Sequence, residues 1–166
     1  MNTPITVGVI SDTHGLLRPE AIEALAGCSL IVHAGDIGDD HVLAGLRGIG
    51  PTFAVRGNND RGGWASSLPG SEIVEAGSHL LYVVHEIDSL GLDPRAAGFS
   101  AVISGHSHRP LAERRYDVLY LNPGSAGPRR FKLPITLAKL HLEGDRIEAE
   151  IVALSPRARR ARAARR

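Results

Sequence analysis

Residues 5–15 read ITVGVISDTHG, a six-residue run with no charged residue that breaks directly into a polar cluster. The run lacks the strict alternation of a half-exposed strand, so ITVGVI (5–10) reads as a strand buried on both faces. PEAIEALAG (19–27) follows as a short helix, opened by a proline and closed by a glycine. The pattern then repeats. SLIVHAGD (29–36) is a second apolar strand, DDHVLAGLRGIG (39–50) a helix ending in glycines, and PTFAVRGN (51–58) a third strand. Residues 1–58 therefore read as consecutive βαβ units whose strands lie parallel in one sheet.

Past residue 70 the character changes. SEIVEAG (71–77) and SHLLYVVHE (78–86) meet at a glycine turn, AVISG (101–105) and LAERRYDVLYLNPG (111–124) follow, and ITLAKLHLEGDRIEAEIVAL (135–154) alternates around a Gly-Asp turn. These predict a second, more antiparallel sheet. RGGWASSLPG (61–70) has no periodicity and reads as a surface loop.

The chain has 166 residues, 43% of them apolar, enough for one sizeable core, so residues 1–154 are expected to form one domain and 155–166 a tail. The last ten residues, RARRARAARR, hold six arginines and no acid. Removing those six charges from the net +1 leaves a body of about −5. The tail reads as a solvated helical extension, because arginine and alanine favour helix and no aromatic residue is interleaved for stacking bases. The competing reading is an arm for nucleic acid. A single cysteine, Cys28, excludes an intramolecular disulfide framework and reads as a small buried hydrophobe. MNTPITVGVI has no basic n-region or cleavage site, and no run is long enough to span a bilayer. The expectation is a soluble cytoplasmic protein with no membrane association.

The strand ends carry the chemistry. VGVI runs into SDTHG, LIVHA into GD, FAV into RGNND, LLYVV into HE, and AVIS into GHSH. Ligands of open α/β sheets bind at the carboxyl ends of strands, so five polar clusters should converge there. Asp12, His14, Asp36, Asn58, His85, His106 and His108 all offer N or O donors suited to divalent transition metals. In extended chain, residues i and i+2 share a side, so Asp12 with His14 and His106 with His108 can each deliver two ligands. Gly15, Gly35, Gly57 and Gly105 let the backbone turn tightly beside them. Seven donors exceed what one ion usually draws from protein. Two ions follow, with one carboxylate, Asp36 first among the candidates, bridging them.

The set SDTHG, GD, GNND, His85, GHSH and NPGSAG (122–127) resembles the calcineurin-like metallophosphoesterases, and in its shortness the small bacterial and archaeal phosphodiesterases. The resemblance spans about residues 5–154 and implies a four-layer αββα sandwich, an α/β (α+β) fold of two mixed sheets flanked by helices. It implies that Asp12, His14 and His108 hold one metal and Asn58, His85 and His106 the other, with Asp36 bridging. A hydroxide shared by the ions would attack phosphorus in line. Mn is the first candidate metal, with Fe, Co, Ni and Zn behind it. The family's frequent assembly into dimers or tetramers makes a homo-oligomer an expectation.

Two departures stand out. Much of the superfamily has histidine after the motif's asparagine, the usual candidate for protonating the leaving oxygen; here the residue is Asn59. A missing general acid, worth about 10² to 10⁴ in rate, favours good leaving groups and hence diesters over alkyl monoesters. Asp60 is weighed between anchoring the metal loop and a local loop bond. The second departure is Glu86, where glycine is common; a solvent-facing side chain is the favoured reading, and a carboxylate near the metals the other.

Among other residues, His33 inside LIVHA reads as a hydrogen-bonded buried histidine, and His41, His79 and His141 as surface positions. Arg56 beside Asn58 reads equally as a contact for a phosphate oxygen and as an ordinary surface arginine. Trp64 could stack on a substrate ring, with packing the favoured role, and Arg129 and Arg130 add positive charge after NPGSAG. The expected activity is a metal-dependent phosphodiesterase acting on a small phosphate ester or a nucleotide. A binding scaffold is the rival, since a eukaryotic retromer subunit resembles this family in fold yet has lost catalysis. A nuclease or nucleotide phosphatase aided by the tail is the third reading.

Overall fold

The computed structural model describes residues 3–155, so the arginine-rich segment falls outside the described residues. The chain opens with β1 (Ile5–Ile10), α1 (Pro19–Leu25), β2 (Leu30–His33), α2 (Asp40–Arg47) and β3 (Thr52–Ala54). The three strands are parallel and adjacent, with Val7 opposite Leu30 and Ile31 opposite Thr52. Helix α1 starts on Pro19, whose missing N–H costs nothing there, and ends before Gly27 at φ +83°. Helix α2 is capped by the Asp39 carboxylate, which accepts from the His41 N–H at 3.0 Å, and buries Val42, Leu43 and Leu46.

The loop expected at 61–70 contains a four-residue helix, α3 (Gly63–Ser66). A hairpin follows, β4 (Ser71–Ala76) and β5 (His79–Val84), then a 3₁₀ turn (Ile87–Ser89), β6 (Ala101–Ile103), β7 (Leu111–Arg115), β8 (Val118–Asn122), β9 (Thr136–Glu143) and β10 (Arg146–Ala153). They form two mixed five-stranded sheets, ordered β10-β9-β1-β2-β3 and β4-β5-β6-β8-β7. Two expectations need correction. The last hairpin does not join the second sheet: β9 pairs antiparallel with β1, Val7 opposite Leu140, and extends the first. Strands β5, β6 and β8 run parallel to one another, so the second sheet is as mixed as the first.

The two sheets pack face to face, as the resemblance implies. Val7, Val9 and Val32 of the first sheet meet Leu81, Val83, Ile103 and Leu121 of the second in one buried cluster. Alternate residues Ile10 and Ile31 point outward and are covered by α1 and α2 through Leu25, Leu43 and Leu46. A parallel β5–β6 crossover cannot pass through the packed interior, so residues 87–100 cross the outer face of the second sheet, where Phe99 meets the Tyr82 ring. The fourth layer is thus a 3₁₀ turn and loop, among the described residues, while the first sheet carries the helices.

Candidate metal centre

All five polar clusters come to one edge of the sandwich. Beyond the strands the backbone stays tied: the Asp12 N–H donates to the Gly35 carbonyl at 3.0 Å, His14 to Asp36 at 3.0 Å, and Gly105 to His85 at 3.0 Å. These bonds hold neighbouring loops in register, so the side chains stand on a rigid rim.

The way the rim turns differs from expectation. Asp12, His14, Asp36, His106 and His108 all sit in the left-handed region, with φ between +46° and +69°. The i, i+2 rule of extended chain is therefore not what pairs Asp12 with His14 or His106 with His108; a left-handed turn at each residue does. Of the four glycines, Gly15 and Gly35 have positive φ and Gly105 and Gly57 do not. Gly35, Gly57 and Gly105 are needed for space: a Cβ at Gly35 would lie 2.6 Å from His85 Nδ1, one at Gly105 2.7 Å from Asp12 Oδ2, and one at Gly57 would run into the backbone and carboxylate of Asp36.

Asp12, His14 and His108 form one group and Asp36, His85 and His106 another, each with ligand atoms within 4.8 Å of one another. In the first, His108 Nε2 is 3.3 Å and His14 Nε2 3.9 Å from Asp12 Oδ1, and the two imidazole nitrogens are 3.3 Å apart. Asp12 Oδ2 accepts from the Ser11 hydroxyl at 2.7 Å and the His106 N–H at 3.1 Å, which leaves Oδ1, buried and without a hydrogen bond, facing the histidines. In the second, the Asn58 Oδ1 lies 3.0 Å from His85 Nε2 and 3.2 Å from His106 Nδ1. Asp36 Oδ2 stands between the groups, 3.4 Å from His85 Nε2 and 3.8 Å from His14 Nε2.

The donor chemistry fits a pair of cations. The His85 Nδ1–H donates to the Ala34 carbonyl at 2.7 Å, so Nε2 presents a lone pair toward the oxygens of Asp36 and Asn58. Lone pairs aimed at one another with no proton between them are unfavourable unless a cation sits among them. Burial alone would raise the Asp36 pKa, but bonds from His85 and from the Asn59 backbone and amide hold it well below the usual carboxylate range. Burial alone would lower His85, and its bonds to Asp36 and Ala34 outweigh it and raise the value. A proton and a cation compete for the Nε2 lone pair, so cation binding weakens as pH falls. For His108 burial prevails and the pKa is lowered, with the Arg130 charge adding to the effect.

A second layer orients these ligand candidates. Asn59 donates its backbone N–H to Asp36 Oδ1 and its amide to Oδ2, both at 2.9 Å. Asp60 is buried and accepts from Gly38 at 2.9 Å and from Gly57 at 2.8 Å, which joins the anchoring role to the local one. Sequence reasoning missed Ser11, Ser125 and Asn122. Ser125 Oγ donates to the Asp12 carbonyl at 2.9 Å, and the Asn122 amide donates to the Gly105 carbonyl at 2.9 Å. NPGSAG was a signal for the last two, read there only as part of a motif. His33 is fully buried: its Nδ1 accepts from the Gly35 N–H at 3.1 Å, so its Nε2–H donates to Thr13 Oγ1 at 2.9 Å. Burial lowers its pKa to about 3.

Other residues fall elsewhere. Trp64 packs with Leu68 against the helix-side cluster. Arg56 is exposed and shares a shallow cavity with Asn58 and His85. The Glu86 carboxylate is 3.9 Å from His106 Nδ1, turned to the margin of the second group. His41 and His141 lie on the surface with Asp39 and Glu150. His79 does not: it is buried at the opposite end of the sandwich, where Nε2–H donates to the Gly144 carbonyl and Nδ1 accepts from Ser100, both at 2.8 Å.

Known proteins place this geometry in context. A curated relative, a probable metallophosphoesterase of Methanothermobacter thermautotrophicus, is 34% identical over 161 residues, covering 88% of this chain and 91% of that one. A structure described as a novel archaeal phosphodiesterase superposes with a TM-score of 0.75 at 24% identity, over 90% of this chain and all of the other. Vacuolar protein sorting 29 of Cryptosporidium parvum shares the fold at a TM-score of 0.72 and 17% identity, over 92% of this chain and 99% of that one. Residues 5–145 match the model of the calcineurin-like phosphoesterase superfamily domain, a span that takes in every ligand candidate on the rim, and the chain belongs to that superfamily.

Proposed function

We propose that the chain is a metal-dependent phosphodiesterase that holds two divalent ions. Asp12, His14 and His108 take one, Asn58, His85 and His106 the other, and Asp36 lies between them. The observation that carries this reading is the pair of facing lone-pair clusters sharing Asp36 Oδ2, 3.8 Å from one group's histidine and 3.4 Å from the other's. Such ions, Mn first among the candidates, acidify water and neutralise phosphoryl oxygens.

The chain's own residues do the rest. Asn59 grips both oxygens of Asp36 and fixes the carboxylate's plane. Asp60 ties the Asn58 loop to the Gly38 loop, so the two groups keep their spacing. The amide at position 59 is too weakly acidic to protonate a leaving oxygen, and a positioned acid is worth about 10² to 10⁴ in rate. Esters with stable leaving groups are therefore the favoured substrates, aryl diesters above alkyl monoesters.

The test compares an aryl phosphodiester with the matching monoester, using chelator-stripped protein before and after Mn²⁺ is restored. Diester turnover should appear with the metal and vanish in Asp36→Asn. A metal-binding scaffold of the same fold predicts instead that ions are taken up and neither ester is cleaved with Mn, Fe, Co, Ni or Zn.

A further inference from the structure

Beside the second ligand group, on the outer face of the second sheet, lies a cavity of about 880 Å³ that opens on His106. Its size is in the range of sites for drug-sized ligands, and far more than a phosphoryl group needs. Ile87, Leu111, Tyr120 and Leu133 give it apolar walls, and Arg109 and Arg115 are its cations. The pairing of β7 with β8 explains this face. Leu111 is opposite Asn122, Glu113 opposite Tyr120 and Arg115 opposite Val118, so alternate residues of both strands point away from the core.

Tyr120 is the feature that selects a ligand. It is half-buried, and the Arg115 guanidinium lies over its ring at 4.8 Å, held by an ion pair to Glu113 at 2.9 Å. The same face continues to Tyr116, where Arg95 stands 5.8 Å from the ring. Planar guanidinium and phenol surfaces beside apolar walls suit a flat aromatic group. Arg109 is exposed and has no acidic partner among the described residues, while Glu86 and Asp88 line the cavity opposite.

We propose that this cavity binds the retained arm of the diester, and that the arm is a nucleoside-sized group carrying an aromatic ring stacked beside Tyr120 and Arg115. The assignment rests on the phosphodiesterase reading above and deepens it, because it names the substrate class. The retained arm stays bonded to phosphorus while the other arm departs, so the groove acts on binding and leaves the bond cleavage unaltered.

Three probes share the p-nitrophenolate leaving group and differ in the retained arm: methyl, phenyl and thymidine-5′ p-nitrophenyl phosphate. With the Mn²⁺-loaded protein, kcat/KM should rise about tenfold from the methyl to the thymidine ester, mostly through KM, as stacking of one base predicts. Tyr120→Leu should collapse the ratio toward one, and Tyr120→Phe should restore it. Arg115→Gln, at an exposed position of an exposed strand, should lower the ratio by itself, and metal uptake checks that each variant is folded. A flat series in the wild type, or a ratio that Tyr120→Leu leaves unchanged, overturns the assignment. So does an equal loss on all three probes, which would put the leaving arm in the groove. Absence of metal-dependent turnover with any probe removes the phosphodiesterase reading itself; cleavage of the methyl ester with a flat series removes only the groove.

Discussion

The two ends of the sandwich place different residues at their left-handed turns. At the end holding His79, two hairpins turn on glycine, Gly77 at φ +58° and Gly144 at φ +56°, and the turns are joined by the Ser78 hydroxyl donating to the Gly144 carbonyl. At the metal rim, beside Gly15 and Gly35, left-handed positions are also taken by Asp12, His14, Asp36, His106 and His108. Left-handed backbone costs a non-glycine residue roughly 1–2 kcal/mol, at the low end for Asp and His. Five such residues store a few kcal/mol, a sizeable share of a typical net stability of about 5–15 kcal/mol. The far end has one exception, the β7–β8 hairpin, which turns on Tyr116 and Asp117. Five of the eight non-glycine residues at positive φ among the described residues are ligand candidates of the rim, so most of this strain lies where those side chains are placed.

Gly35→Ala should disturb the rim most severely, since it adds a side chain at φ +98° against the His85 ring. A loss of roughly 4 kcal/mol in urea unfolding is expected, from overpacking and left-handed strain together, with metal uptake impaired. His33 beneath the rim makes the same end sensitive to acid. Its pKa is about 3 in the folded chain, below the ordinary 6.5, so the unfolded chain binds the extra proton. The stability it contributes is complete above pH 6.5 and lost as pH falls toward 3, about 3 kcal/mol of it by pH 4. Denaturant titrations of wild type and His33→Gln should show a shallower decline in the variant. Equal slopes would mean that His33 is already protonated in the folded chain.

Asn59→Ala frees both oxygens of Asp36, and Mn²⁺ affinity should fall by about ten- to a hundredfold in a competition titration. An unchanged affinity would assign the Asn59 bonds to local loop structure. The smallest effect sharpens the contrast between the ends. His106→Gly relieves a left-handed residue, so chelator-treated protein should gain roughly 0.5 kcal/mol while metal binding weakens. Gly144→Ala at the other end should cost about 1 kcal/mol and leave metal binding alone.

Most of the rim was legible because its chemistry is local. Asp, Asn and His follow apolar strands that must be buried, and parallel strands bring their carboxyl ends together. The β4–β5 and β9–β10 turns were equally plain, since Gly77 and Gly144 mark them. The placement of β9 beside β1 was not, because an alternating hairpin satisfies either sheet and the choice is made by packing over more than a hundred intervening residues. The turn at Tyr116 lacks a glycine, and α3 is too short to show a period. His79 looked like a surface residue because its partners, Ser100 and Gly144, are remote in sequence. The left-handed ligand candidates follow from backbone bonds between separate loops, and no single motif contains them.

The proposed activity stands on two ions sharing Asp36. Equilibrium titration of chelator-stripped protein with Mn²⁺, counted by elemental analysis, tests it without recourse to activity. Two ions per chain in the wild type, with Asp36→Asn weakening both, is the predicted result; a single ion per chain, or two that Asp36→Asn leaves equally tight, would contradict it.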